Sequence, residues 1–267
     1  MTLRDSVTQT DSKTAVKVLM YHRVVGDQDH TPGYAWTVSQ SQLRRQLEML
    51  DKWGHTCISF QDYSLARIGK LTLPRKPVIL TFDDGYDDVY RFALPILKEF
   101  GVRGTIFLLG DRHVKSNSWE DEPLRGAQLL NEGQIREMYE AGFEIGSHSL
   151  THACLTKLSR DGAWEEISTS KMRLEELLDG PITVFAYPFG AVSPELERMV
   201  RSAGYDYGCG SYTGPPRFEE NLFNIRRIPI TSSTKAVDFA VKMLTPYEYY
   251  AWLRWKTHKS LMPSVSR

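Results

Sequence analysis

Short apolar runs rich in β-branched residues recur along the chain, separated by stretches in which apolar residues return every three or four positions. Strands and helices therefore alternate. Runs at residues 15–20, 57–60, 78–82, 104–109, 143–147, 183–187 and 223–230 predict strands. Between them, Leu43, Leu47, Leu50 and Trp53 predict a helix capped by Ser39 or Ser41, and Val89, Phe92, Ala93, Ile96 and Leu97 predict one over residues 87–100. Asn131 caps a helix to Ala141, and Ser193-Pro194 opens one to Ala203. Trp164, Ile167, Met172, Leu174 and Leu177 carry a long helix over residues 160–178. Gly54, Gly101, Gly142 and Gly204 stop helices. Strand, helix, glycine, strand is the βαβ pattern of a parallel sheet. Roughly seven or eight such units predict a single α/β domain, a distorted TIM-like barrel. Residues 111–127 are polar, break the rhythm, and predict an irregular excursion that is a candidate lid or substrate wall.

Two strand ends carry chemistry. The run Val78-Ile79-Leu80-Thr81-Phe82 stops at Asp83-Asp84-Gly85. Neighbours on an extended strand end point to opposite sides, so the two carboxylates are free to take different roles. The competing reading is a solvated Asp-Gly turn. The strand at 143–147 runs into His148, with His152 four positions on, a spacing that places both imidazoles on one face of a helical turn and on one metal ion. Two histidines and one carboxylate leave a coordination position open, as a hydrolytic site requires. Asp84, His148 and His152 are therefore the candidate ligands, and Asp83 the candidate base. Zinc fits this set, with cobalt, nickel or ferrous iron as alternatives.

Composition narrows the class. The 267 residues hold 33 basic and 33 acidic side chains, which points away from nucleic acid and towards an uncharged substrate. Cys57, Cys154 and Cys209 are too far apart for a zinc knuckle or a disulfide framework and read as buried small hydrophobes. Residues 1–14 are a polar tail without an apolar signal core, and no run reaches membrane-spanning length, so a cytoplasmic location is expected. The segment Tyr247-Glu248-Tyr249-Tyr250-Ala251-Trp252-Leu253-Arg254-Trp255-Lys256 reads as a terminal helix packed on the barrel, or as an interfacial helix with peripheral membrane contact.

Thr81-Phe82-Asp83-Asp84-Gly85, the His148/His152 pair and Phe185-Ala186-Tyr187-Pro188-Phe189-Gly190 resemble, in order, the first three motifs of the polysaccharide deacetylases, carbohydrate esterase family four with its NodB homology domain. The opening Leu19-Met20-Tyr21-His22-Arg23-Val24 is similar to the start of many bacterial members, and the resemblance spans residues 16–232. It implies a catalytic barrel over residues 15–245, followed by an aromatic helix and tail over 246–267. It also implies removal of acetyl groups from saccharides containing N-acetylglucosamine. Asp83 would be the general base and Asp84, His148 and His152 the metal ligands. Tyr187, Pro188, Phe189 and Gly190 would line the groove, with the backbone N–H near Phe189 holding the oxyanion.

Two positions depart from the family pattern. Ala186 stands where an arginine often orients the base, so Arg226 or Arg227 on the last strand is expected to supply the guanidinium. No late Leu-x-His motif follows, which leaves Asp83 or His22 to protonate the leaving amine. Trp36, Trp119 and Tyr212 are candidates for stacking on sugar faces. The same site would suit a metal hydrolase of a cyclic amide or ureide. A saccharide-binding homologue without catalysis is the third reading, and the retained Asp83 argues against it.

Overall fold

The computed structural model describes residues 15–29, 34–121 and 124–258. The tail over residues 1–14 and the segment over 259–267 lie outside them. The strands are β1 (Lys17–Tyr21), β2 (Arg23–Val25), β3 (Thr37–Ser39), β4 (Thr56–Cys57), β5 (Pro77–Phe82), β6 (Thr105–Leu108), β7 (Glu144–Ser147), β8 (Val184–Ala186), β9 (Tyr207–Cys209) and β10 (Ile228–Pro229). The α-helices are α1 (Gln40–Lys52), α2 (Phe60–Arg67), α3 (Leu94–Glu99), α4 (Glu132–Glu140), α5 (Arg160–Leu178), α6 (Pro194–Ser202), α7 (Ala236–Leu244) and α8 (Tyr247–His258).

Around the sheet the order is β10-β1-β5-β6-β7-β8-β9, every ladder parallel, with β4 paired beside the start of β5. The segment before β10 draws the two edges together. Ile225 bridges Cys209 of β9, and Ile228 then pairs with Leu19 of β1. The result is the curled, distorted (β/α) barrel that the alternation predicts. Because every strand is parallel, all C-terminal ends meet at one mouth.

Period-two alternation divides the core in two. One face packs Val18, Ile79, Phe107, Val184, Ala186, Tyr207 and Cys209 inside the barrel; the other packs Leu19, Leu80, Ile106, Ile145 and Phe185 under the helices. On β5 the inward row Ile79, Thr81 continues to Asp83, so the base candidate points into the barrel by strand geometry.

Several local expectations are corrected. Residues 57–60 are not one strand: pairing stops at Cys57, and Ser59 caps α2 in a capping box with Asp62. Helix α2 carries Phe60 and Tyr63 against Tyr207 and Phe218, which closes the foot of the barrel. The helix expected over 87–100 begins as a π-helical turn, Val89–Ala93, ahead of α3. The last strand shrinks from residues 223–230 to β10. Helix α5 matches its expected span but buries Ala163, Ile167, Ser170 and Leu174, leaving Trp164 and Met172 exposed. Cys209 is buried, whereas Cys57 and Cys154 are half-buried.

Glu144 at the start of β7 fixes the foot. Its carboxylate accepts from the N–H groups of Phe60 (3.0 Å) and Gln61 (2.9 Å) at the start of α2, and from Thr105 Oγ1 (2.6 Å). Glu144→Ala strips three donors of their acceptor, and the expected loss of unfolding free energy is about 2 kcal/mol, read from the urea midpoint. An unchanged midpoint would show that water replaces the carboxylate without cost.

Candidate active site

Four of the five non-glycine residues with left-handed φ among the described residues lie at the barrel mouth: Asp84 (71°), Ser149 (65°), His152 (67°) and Phe189 (60°). Each costs on the order of 1–2 kcal/mol, and such strain collects where function requires a particular side-chain direction. At Asp84 it replaces the expected alternation along an extended strand end, because β5 stops at Phe82 and the left-handed turn redirects the second carboxylate. Gly85 follows at φ 71°, and a Cβ there would meet Leu108 Cδ2 at 2.6 Å.

The histidines are not on a helical turn as their spacing implied. His148 leaves β7 directly, and the left-handed residues Ser149 and His152 fold the loop back so that both rings face Asp84. Glu166 on α5 holds that loop, its carboxylate accepting from Leu150 N (2.9 Å), Thr151 N (2.9 Å) and Thr151 Oγ1 (2.6 Å). An acid on the buried side of a helix was the sequence signal for this residue, and sequence reasoning passed over it.

His148 Nε2 and His152 Nε2 each lie 3.2 Å from Asp84 Oδ1. His148 Nδ1 is 2.8 Å from Ala186 O, and a carbonyl oxygen only accepts, so Nδ1 carries a proton and Nε2 is the ring atom turned towards Asp84. Asp84 Oδ1 is buried and no donor hydrogen satisfies it. One potential ligand atom from each of Asp84, His148 and His152 lies within 4.8 Å of the other two, an arrangement that a cation satisfies. Burial raises the Asp84 carboxyl, but the two facing imidazoles reverse this and hold it well below the usual range. Burial lowers His148, yet Asp84 leaves it raised; at His152 burial prevails and the ring is lowered.

Asp83 sits beside this cluster in a different environment. Arg227 grips it with two bonds, Nη1 to Oδ1 (2.6 Å) and Nη2 to Oδ2 (2.8 Å). Arg227 also donates from Nε to Gly210 O (2.8 Å) and from Nη1 to Thr81 Oγ1 (3.1 Å), and its guanidinium lies 5.4 Å from the Phe107 ring centre. Burial raises Asp83, but the guanidinium outweighs it and holds the carboxyl below its ordinary value. Arg226 turns away, donating to Gly214 O (2.9 Å) and Tyr212 O.

His22 Nε2 lies 3.9 Å from Asp83 Oδ2, and its ring packs against Trp36 at 4.6 Å. Burial lowers its pKa more than Asp84 and Asp83 raise it, and its Nδ1 has no partner. Asp88 steadies this stretch by accepting from Arg23 Nε (2.7 Å) and Val24 N (3.2 Å).

The third motif is divided. Tyr187 is fully buried and donates its hydroxyl to Phe223 O (2.8 Å), so its side chain belongs to the core. Pro188 is buried, whereas Phe189 is 44% exposed and meets the His152 ring at 4.7 Å, with Gly190 at φ 62° beside it. The excursion over residues 111–121 reaches the site, and Trp119 stacks on His152 at 4.1 Å. Asn117 braces it by accepting from Gly126 N (2.7 Å) and Ala127 N (2.8 Å). Tyr212 lies apart from these groups, 43% exposed.

Comparison with known proteins bears on the family and the fold. A YxkH chain of Bacillus subtilis (strain 168), named as a polysaccharide deacetylase, is 26% identical over 227 residues, covering 84% of this chain and 74% of its own length. A poly-beta-1,6-N-acetyl-D-glucosamine N-deacetylase of Staphylococcus aureus is 25% identical over 205 residues, covering 73% of this chain and 68% of its own. The solved structure of the Streptococcus pyogenes deacetylase PplD in complex with acetate superposes with a TM-score of 0.72 at 24% identity, covering 86% of this chain and 98% of that one, and shares the fold. The polysaccharide deacetylase family model matches residues 70–208, more than half of the sequence and the stretch that carries Asp83, Asp84, His148, His152 and the third motif, so the chain belongs to the polysaccharide deacetylase family.

Proposed function

We propose that the chain is a metal-dependent carbohydrate N-deacetylase, a hydrolase that releases acetate from saccharides containing N-acetylglucosamine. The carrying observation is that two adjacent carboxylates hold opposite environments: Asp84 faces two imidazoles, and Asp83 faces a guanidinium. The lone-pair convergence at Asp84, His148 and His152 fits a divalent ion, zinc by donor set, with cobalt, nickel and ferrous iron able to take the same atoms. When bound there, such an ion polarises the amide carbonyl and acidifies the attacking water.

The chain's own groups do the remainder. Asp83, kept ionised by Arg227, takes the proton of the attacking water. Arg227 fixes the carboxylate in two dimensions through its paired bonds, a constraint a lysine cannot reproduce. The N–H near Phe189 donates to the oxyanion that forms on the carbonyl, an interaction worth a few kcal/mol in a dry site. The proton that Asp83 takes from the water passes on to the departing nitrogen, directly or by way of His22 beside it, so that C–N cleavage yields acetate and a free amine. Trp36, Trp119 and Phe189 supply aromatic walls suited to the faces of an uncharged sugar. The Staphylococcus relative supports a polymer of N-acetylglucosamine as the substrate class.

Metal content, measured by plasma mass spectrometry after zinc loading, is expected at about one ion per chain, and His148→Ala or His152→Ala lowers it at least about tenfold. Unchanged content in both variants would remove the site. Asp83→Asn keeps the ion yet lowers acetate release from N-acetylglucosamine oligomers about a thousandfold; comparable release would take the base role from Asp83. Arg227→Lys lowers kcat about tenfold to a hundredfold with KM within about twofold. A change confined to KM would place Arg227 in substrate binding instead.

A further inference from the structure

Large apolar side chains are exposed unevenly over the protein. Of the thirteen among the described residues, six lie in the last two helices: Val237, Val241, Leu244, Tyr249, Tyr250 and Leu253. The first three recur at four- and three-residue intervals and so share one face of α7; Tyr250 and Leu253 share a face of α8. Solvent exposure reaches 75% at Val237 and 61% at Tyr250, a concentration that marks a contact surface rather than scattered surface residues.

Charge identifies the occupant. From Tyr249 to Arg267 the sequence carries Arg254, Lys256, Lys259 and Arg267 and no acidic residue. Glu248, just before that stretch, is engaged by Lys17 Nζ at 2.7 Å, so it does not offset those cations. Arg254 and Lys256 are exposed, and Lys256 Nζ lies 4.1 Å from the centre of the Trp252 ring, an aromatic body with a cation at its edge. Tyrosine, tryptophan and leucine beside lysine and arginine on one short helix suit the boundary between lipid headgroups and acyl chains. At 12 residues α8 is about 18 Å long, well short of a bilayer core of about 30 Å, so it would lie in the interface.

Position adds a constraint. Lys17, the first residue of β1, donates to the carbonyls of Lys242 (3.1 Å) and Thr245 (3.2 Å), which ties the α7–α8 junction to the N-terminal end of the barrel. Asp83, Asp84, His148 and Arg227 act at the opposite end. We infer that α8 and the C-terminal end of α7 form a membrane-docking surface that seats the foot of the barrel on an anionic lipid bilayer, leaving the catalytic mouth at the far end. A saccharide strand extending away from the membrane then reaches the site without the protein having to detach. The inference stands on the helix pair alone and does not depend on which acyl group the mouth removes.

Co-sedimentation of the full chain with vesicles of phosphatidylcholine containing roughly one-third phosphatidylglycerol tests it, against phosphatidylcholine alone. The bound fraction is expected to be at least about tenfold higher on the anionic vesicles and to fall in high salt. Tyr250→Glu with Leu253→Glu, and separately Arg254→Glu with Lys256→Glu, each lower it about tenfold while thermal midpoint and turnover of a soluble oligomer stay at wild-type values. The charge-reversed variant decides the matter if the apolar pair melts early. Absence of binding to anionic vesicles, or binding unaffected by either variant, overturns the inference. So does a dimer in sedimentation velocity that the apolar variant dissolves while vesicle binding is missing, since a second copy would then be the occupant.

Discussion

The buried pair between Asp83 and Arg227 is the interaction on which the mouth of this barrel depends. Neither group reaches water, so the pair is tolerable only because each polar atom is met: Arg227 spends its donors on both carboxylate oxygens, Thr81 Oγ1 and Gly210 O. Losing one partner of such a pair costs on the order of 3–5 kcal/mol, because the other charge stays buried. Geometry makes the pair more than cement. It joins the end of β5 to the segment that closes the sheet, where ladder bonds are few. It also leaves Asp83 ionised and oriented next to the cluster of Asp84, His148 and His152.

A second constraint works against local preference. Asp84, Ser149, His152 and Phe189 all hold left-handed backbone, and at Asp84 and His152 this turns ligand atoms towards the spot that His148 also faces. Nothing in their own chemistry favours this. It persists because Glu166 fixes the 149–152 loop, the Ala186 carbonyl fixes His148, and β7 and β8 are buried on both faces. Strain and support thus lie on different elements, the strain at the mouth and the support on α5 and the sheet.

Much of this was legible in the sequence, for uneven reasons. The doublet Asp83-Asp84 stood out because it interrupts a buried apolar run. The His148/His152 pair was found by helical spacing although no helix forms; the loop meets the same end through two left-handed residues that spacing does not reveal. Arg227 was named as a substitute for the arginine missing at Ala186, and topology alone places it against a partner 144 positions away. Trp164 and Met172 read as core because they fit a helical period, while the true inner row of α5 runs through small residues, Ala163 and Ser170. Helix α2 and strand β3 escaped notice since short elements carry little periodicity. Main-chain acceptors such as Ala186 O and Gly210 O leave no mark on side-chain pattern at all.

Two regions stand apart along the barrel axis, the strained polar residues at the strand C-termini and the α7–α8 junction, which Lys17 ties to the N-terminal end of β1. The central claim is that Asp84, His148 and His152 hold an ion while Asp83 remains outside its coordination as a base. Anomalous diffraction from zinc-loaded crystals addresses it most directly. The account predicts one peak about 2.0–2.2 Å from Asp84 Oδ1, His148 Nε2 and His152 Nε2, with Asp83 still gripped by Arg227. A peak bound to the Asp83 carboxylate, or one located away from the two histidines, would contradict it.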